Sequence, residues 1–339
     1  MAHKPRPEPA GSRAAQTLFL IAAAGAAICL VGGVTIWAQW QSERGGGQSR
    51  YVSDLTLDDI PFNGARAYEY LKQLCAIGPR PSGSPGMARQ QKLLEEHFRK
   101  LGGEVRFQRF QYRHPLDGSP VPIANLIVHW HPDRKERILL CAHYDTLPYP
   151  LEDPVNPKGR FVGANDGASG TALLMEMAHV IPDLDTPYGI DFVLFDAEEF
   201  IFDMDGRFFV GSEYFARQYV RQPPPYRYRW GVLVDMIGDA DLQIYKERYS
   251  MSWPQTRRLV EQIWATAERL DVREFIHRPK YAILDDHIPL NRIAGIPTCC
   301  IIDYDYPYWH TEADTPDKCS PLSLAKVGWV LWEWLKQVR

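Results

Sequence analysis

Three apolar runs of this chain each end in side chains able to bind a metal ion or carry a proton. ILLCAHYD (Ile138 to Asp145) delivers His143 and Asp145, IDFVLFDAEE (Ile190 to Glu199) delivers Glu198 and Glu199, and WGVLVDMIGD (Trp230 to Asp239) delivers Asp235. Between the first two lies a glycine-rich loop, FVGANDGASG (Phe161 to Gly170), which carries Asp166; further on, YWHTEADTPDK (Tyr308 to Lys318) carries Trp309 and His310. Carboxylate oxygens and imidazole nitrogens, gathered without any paired-cysteine spacing, point to catalytic zinc rather than a structural zinc knuckle.

Taken singly, each residue also has an ordinary structural reading. A lone histidine near a strand end is more often structural than a ligand; here His143 could face a metal while Asp145 holds its ring or the neighbouring backbone. Asp166 sits among Gly163, Gly167 and Gly170, which allow close backbone approach, but an aspartate at a helix start is also a common N-cap. Adjacent carboxylates after a buried strand are costly unless each has a task. Because strand neighbours point apart, one of Glu198 and Glu199 can bind metal while the other faces substrate as proton carrier. Asp235 is a third buried-strand carboxylate, and His310 stands in a polar loop between Trp309 and Thr311.

The elements that must position these groups follow from the same runs. A short, nearly continuous apolar run is the pattern of a parallel strand buried on both faces, and in open α/β sheets ligands bind beyond the carboxyl ends of such strands. Helical spacing marks Asn63 to Cys75, Pro85 to Leu101 (stopped by Gly102-Gly103), Gly170 to Val180, Gln255 to Leu270 and Leu322 to Val338. EVRFQRFQYR alternates like a strand with one exposed face; NLIVHWHP and ERILLCAHYD read as strands pairing with each other across the DRKE turn. The ILLCAHYD strand, the helix after GANDGASG and the DFVLFDAEE strand form a βαβ unit of a parallel or mixed sheet. The fold class expected is therefore α/β, a mixed and mostly parallel central sheet flanked by helices.

At 339 residues and 45% hydrophobic, the chain can bury a full core. Net charge is −4 with both signs scattered, so no basic stripe argues for nucleic acid. The six cysteines include no CxxC pair and read as buried thiols, with one disulfide involving Cys319 left open. Residues 14–38 carry no charge, and about 22 such residues cross a bilayer. Lys4, Arg6 and Arg13 precede this run, which places the N-terminus in the cytoplasm by the positive-inside rule. The expected organisation is a cytoplasmic tail (1–13), a single transmembrane anchor (14–38), a linker (39–54) that includes GGGQS, and a catalytic domain (55–339) on the extracytoplasmic side. A cleaved signal peptide is the competing reading of 14–38; the run's length and the Trp37–Trp40 pair favour the anchor.

In order along the chain stand His143-Tyr-Asp145, Gly163-Ala-Asn-Asp166, Glu198-Glu199, Asp235 and His310-Thr311. This succession resembles the zinc aminopeptidase and glutaminyl cyclase superfamily, from about Asn63 onward. The resemblance implies that Asp166, Glu199 and His310 bind zinc and that Glu198 is the acid/base. It also implies that His143 and Asp235 either complete a second metal site or serve without one. Peptidases of the superfamily usually carry Ser-Asp-His where this chain has Asp285-Asp286-His287; the cyclase branch has an Asp at the position of Asp285 and a Trp at that of Trp309. DMIGDADLQIYKE and NRIAGIPTCCIIDY are similar to bacterial members of that branch. Met204 departs from it, standing where vertebrate cyclases have a Trp.

The implied reaction is zinc-dependent cyclisation of N-terminal glutaminyl residues of peptides or proteins to pyroglutamate, with loss of ammonia. Asp235 and Asp285 would share a proton with Glu198, and Trp309 would wall the substrate pocket. One zinc is expected. The alternative is a two-zinc aminopeptidase in which His143 and Asp235 hold the second ion.

Overall fold

A parallel strand buried on both faces must feed side chains alternately into two cores, and the ILLCAHYD strand does so. Ile138, Leu140 and Ala142 enter one apolar cluster, Leu139 and Cys141 the other. The computed structural model describes residues 51–202 and 205–338. The anchor expected at 14–38, the linker through Arg50, Cys29 and Met204 lie outside the described residues. No helix among the described residues is long and apolar enough to cross a membrane.

The sheet strands are β1 (Glu104–Arg113), β2 (Pro120–Trp130), β3 (Glu136–His143) and β4 (Gly189–Phe195). After a small hairpin, β5 (Glu199–Phe202) and β6 (Asp205–Phe208), comes β7 (Arg227–Asp235). A two-stranded pair, β8 (Ile244–Lys246) and β9 (Phe275–Pro279), precedes β10 (Thr298–Ile302). The central sheet has the order β1-β2-β4-β3-β7-β10. Strands β4, β3, β7 and β10 are parallel, whereas β2 runs antiparallel to β4 and β1 antiparallel to β2. The mixed, mostly parallel sheet is the expected one.

One pairing differs. NLIVHWHP and ERILLCAHYD are not neighbours, because β4 lies between β2 and β3 and bonds to both. The βαβ crossover lays β4 beside β3. β2, buried without a break from Ile123 to Val128, then takes β4's other edge, so the DRKE segment spans one strand rather than closing a hairpin.

The main helices are α1 (Gly64–Ala76), α2 (Pro85–Lys100), α3 (Ala168–Met177), α4 (Val210–Arg221), α5 (Pro254–Arg269), α6 (His287–Arg292) and α7 (Pro321–Gln337). Asn63 caps α1 and Ser84 caps α2, each accepting an N–H in the first turn. Every residue of α3 is buried, so it is a core helix. It lies so close to the sheet that a Cβ on Gly170 would come within 2.6 Å of Val234 O and 2.9 Å of Ala142 Cβ. α1, α2, α3, α5 and α7 supply one core, with Leu71, Phe98, Leu173, Ile263 and Leu331. α4 and α6 cover the other through Phe215 and Leu290. Each such side chain contributes about 1.5–3 kcal/mol by leaving water. Cys75, Cys141, Cys299, Cys300 and Cys319 are buried free thiols, Cys319 among them. The compact unit begins at Tyr51: Ser53 is buried, and its backbone N–H and hydroxyl both donate to Glu274.

Candidate active site

His143 is the last residue of β3, Asp235 the last of β7, and Glu198 and Glu199 follow β4, so the candidate residues collect beyond the carboxyl ends of parallel strands. The two glutamates do not diverge by strand alternation. β4 stops at Phe195, and Ala197 takes a left-handed conformation (φ 58°) that turns the chain before Glu198. Asp145 fixes this turn: its two oxygens accept the N–H groups of Glu198 (3.1 Å) and Glu199 (3.0 Å). Of the two tasks open to Asp145, holding backbone is the one its hydrogen bonds serve. Met236 (φ 45°) and His310 (φ 55°) are also left-handed. Non-glycine residues pay about 1–2 kcal/mol for this backbone, and such strain collects at functional sites.

Asp166 does not cap α3. The N-cap position is Gly167 (φ 87°), where a Cβ would lie 2.6 Å from Asp145 O. Asp166 instead turns toward two imidazoles, with Oδ1 3.1 Å from His143 Nε2 and Oδ2 3.4 Å from His310 Nε2. Glu199 Oε1 lies 2.9 Å from the same His310 nitrogen, while its other oxygen accepts the Leu147 N–H at 2.7 Å. The Trp309 indole stacks on the His310 ring with centroids 3.9 Å apart, and Phe161 meets that ring edge-on at 6.2 Å. Trp309 is thus a support for His310.

Ligand-type atoms of Asp166, Glu199 and His310 lie within 4.8 Å of one another. These residues are nearly closed to solvent, at 3%, 2% and 6% exposure. Asp166 Oδ2 and Glu199 Oε1 are buried without a hydrogen bond among the described residues, although both aim at His310. Two carboxylate oxygens and an imidazole nitrogen converging in this way fit zinc. His143, Asp166 and Asp235 form an adjacent trio, but there His143 Nε2 and Asp235 Oδ1 are hydrogen-bonded at 3.1 Å.

The electrostatics follow from burial. Burial raises the Asp166 carboxyl, but the His143 and His310 imidazoles beside it outweigh this and hold the group far below its ordinary value. Burial, then Asp166, pushes Glu199 up to about 8. Burial lowers His310, yet Asp166 and Glu199 carry it to about 10. Glu198 rises well above the carboxylate range by burial; His143 opposes this, and Asp285, Asp286 and Glu199 add to it. Burial pushes Asp235 to about 6, opposed by His143 and assisted by Asp285. Asp285 is buried before α6 and acts on both Glu198 and Asp235.

Two supports escaped the sequence reading. Asp314 accepts the N–H groups of Asn165 (2.8 Å) and Asp166 (3.1 Å) and the Tyr306 hydroxyl (2.7 Å), clamping the glycine-rich loop to the His310 segment. Its only signal was an acid four residues after His310. Arg80, fully buried, donates to the carbonyls of Gly78, Val162 and Gly163 and pins AIGPRPSG to the same loop. No residue type near it announced that role.

Residues 125–335, which include every candidate zinc donor, match the model of peptidase family M28. The chain belongs to peptidase family M28. Among solved structures, this M28 chain is similar to the glutaminyl cyclase of Fimbriiglobus ruber, with 39% identity and a TM-score of 0.78 over 85% of this chain and 98% of that one. It is also similar to a leucine aminopeptidase precursor from Bacteroides thetaiotaomicron, with 30% identity and a TM-score of 0.77 over 83% and 99%. Among curated proteins, it is 26% identical over 291 residues to a mouse glutaminyl-peptide cyclotransferase-like protein, covering 77% of this chain and 72% of that one.

Proposed function

We propose that this M28 chain is a zinc-dependent glutaminyl-peptide cyclotransferase with one zinc, held by Asp166, Glu199 and His310. The observation that carries the reading is the contrast between the two donor sets. Asp166 Oδ2 and Glu199 Oε1 are left without hydrogen bonds, whereas His143 Nε2 and Asp235 Oδ1, the facing atoms of the other set, are hydrogen-bonded to each other. The similarity to the Fimbriiglobus ruber glutaminyl cyclase supports the same choice.

When bound, zinc supplies Lewis acidity toward the γ-amide carbonyl oxygen of the substrate. The substrate's own α-amine is the nucleophile, so no water needs activation, and proximity favours ring closure. Glu198, the catalytic acid/base, takes a proton from the attacking amine and returns it to the departing ammonia. Its raised pKa suits a group that must hold a proton between the two steps. Asp235 and Asp285 complete the acid cluster, with Asp285 helping to raise Glu198, and Trp309 keeps His310 in place.

Purified protein given a peptide with an N-terminal glutamine should release ammonia and leave a pyroglutamyl end, with about one zinc per chain. Asp285→Ser, which carries the peptidase-like residue, should depress this activity. A two-zinc aminopeptidase is the second reading, favoured by the His143–Asp166–Asp235 trio and the similarity to the leucine aminopeptidase precursor. Ready hydrolysis of aminoacyl amides, about two zinc ions per chain and no pyroglutamyl product would establish it instead.

We also propose that residues 14–38 anchor the chain as a single span with the catalytic unit on the extracytoplasmic side, supported by their lack of charge and the basic residues before them. Membrane fractionation and protease accessibility test this; an extracytoplasmic product cut after the apolar run would show a cleaved signal instead.

A further inference from the structure

Beside the candidate site lies a second buried donor set on different elements. Asp285 precedes α6, His287 opens it, and Cys300 sits in the middle of β10. One ligand-type atom from each lies within 4.8 Å of the others. Cys300 Sγ is 3.4 Å from Asp285 Oδ2. Both ring nitrogens of His287, a fully buried residue, lack a hydrogen-bond partner among the described residues. Buried imidazoles ordinarily find one, so this absence needs an explanation. Glu247 Oε2 comes within 3.4 Å of His287 Nε2 but makes no hydrogen bond to it. That carboxylate is already engaged by the N–H groups of Tyr249, Ser250 and Ile283 and the Ser250 hydroxyl.

We propose that Asp285, His287 and Cys300 form a second metal site, one containing sulfur and suited to a thiophilic divalent cation such as zinc. Carboxylate, imidazole and thiolate are all zinc donors, and three protein ligands leave a coordination position open. Binding forms a sulfur–metal bond and releases the thiol proton to solvent; carboxylate and neutral imidazole donate lone pairs, and nothing is oxidised or reduced. A consequence rests on the cyclase reading above. Asp285 serves both this second site and the proposed cyclase, so zinc beyond the catalytic ion inhibits.

Cobalt(II) reports the site without reference to activity. Asp166, Glu199 and His310 contain no sulfur, so a thiolate-to-cobalt charge-transfer band in the near ultraviolet must come from a cysteine. The full chain should bind one more cobalt ion than Cys300→Ser and show the band only when that ion binds. Absence of the band from the unsubstituted protein, or its persistence in Cys300→Ser, overturns the site. His287→Gln, which keeps the thiol, should also lose the extra ion and covers a Cys300 variant that fails to fold; full retention of that ion would overturn the site equally. Excess zinc should lower turnover of the unsubstituted enzyme and spare Cys300→Ser. Equal inhibition of both overturns the link to Asp285. A protein that makes no pyroglutamate at all counts against the cyclase reading, while the cobalt band still decides the site.

Discussion

Asp145 and Glu199 meet backbone to side chain: a carboxylate oxygen of Asp145 accepts the Glu199 N–H at 3.0 Å, while its other oxygen takes the N–H of Glu198 at 3.1 Å. One aspartate thus sets the proposed zinc ligand and the proposed proton carrier with a single pair of bonds. Asp145→Asn presents an amide NH2 to one of those N–H groups and should lower both zinc affinity and kcat/KM by about 10–100-fold, the usual effect of removing a support for a metal ligand. Zinc titration and steady-state kinetics on the same preparation check it; unchanged zinc affinity would remove Asp145 from this role.

The roles of His310 and Glu198 separate by metal content. His310→Ala should lose zinc and activity together, because three protein ligands are the minimum for a catalytic site with an open position. Glu198→Gln should retain zinc and lose about 10²–10⁴-fold in rate, since proton transfer goes and coordination stays. Metal analysis alongside single-turnover rates tests both. Zinc loss from Glu198→Gln would exchange the assignments of the two glutamates.

Trp309 stacks on His310 with centroids 3.9 Å apart. An aromatic pair of this kind is worth about 0.5–1.5 kcal/mol beyond burial, so Trp309→Ala should weaken zinc binding by up to about 10-fold, and Trp309→Phe should recover part of it. Competition against a metallochromic chelator measures this directly. Equal affinity in all three proteins would leave Trp309 with the pocket wall alone.

Asp196 is fully buried, accepts the Ser82 hydroxyl at 2.6 Å and the Ala124 N–H at 2.8 Å, and is pushed to about 7 by burial and then by Asp145. Its ordinary value is 3.8. The folded state therefore holds this proton more tightly than the unfolded state. The contribution to stability is full below about pH 4 and is lost as pH rises toward about 7. Urea unfolding of the zinc-free protein at intervals across that window should show stability falling with pH more steeply than in Asp196→Asn. Parallel curves for the two proteins would mean that Asp196 does not titrate there.

What the sequence disclosed and what it withheld follow one physical division. Apolar periodicity reports burial, so Asn63 to Cys75, EVRFQRFQYR and ILLCAHYD were readable as elements almost residue by residue. Periodicity does not report which strand lies next door, and the β2–β3 pairing failed for that reason. That Asp166, Glu199 and His310 would gather at one site was legible from the ordered motifs that carry the family resemblance, and the three do converge. The turn that aims Glu198 was not legible, since it depends on Ala197 at φ 58°, and nothing about an alanine advertises a left-handed backbone. Asp314 and Arg80 were invisible for a related reason: their partners are N–H and C=O groups, which every residue carries.

The strand order gives the proposed zinc donors a mechanical meaning. Glu199 follows β4 and His310 follows β10, the two outermost of the four parallel strands, while Asp166 enters from the crossover that leaves β3. An ion held by these three braces the flanks of the parallel sheet against each other across β3 and β7. Splaying of either flank would then strain the coordination bonds as well as the ladder. Local opening at the two margins is thereby coupled into one cooperative event, and amide exchange in β4 and β10 should slow together when the ion binds.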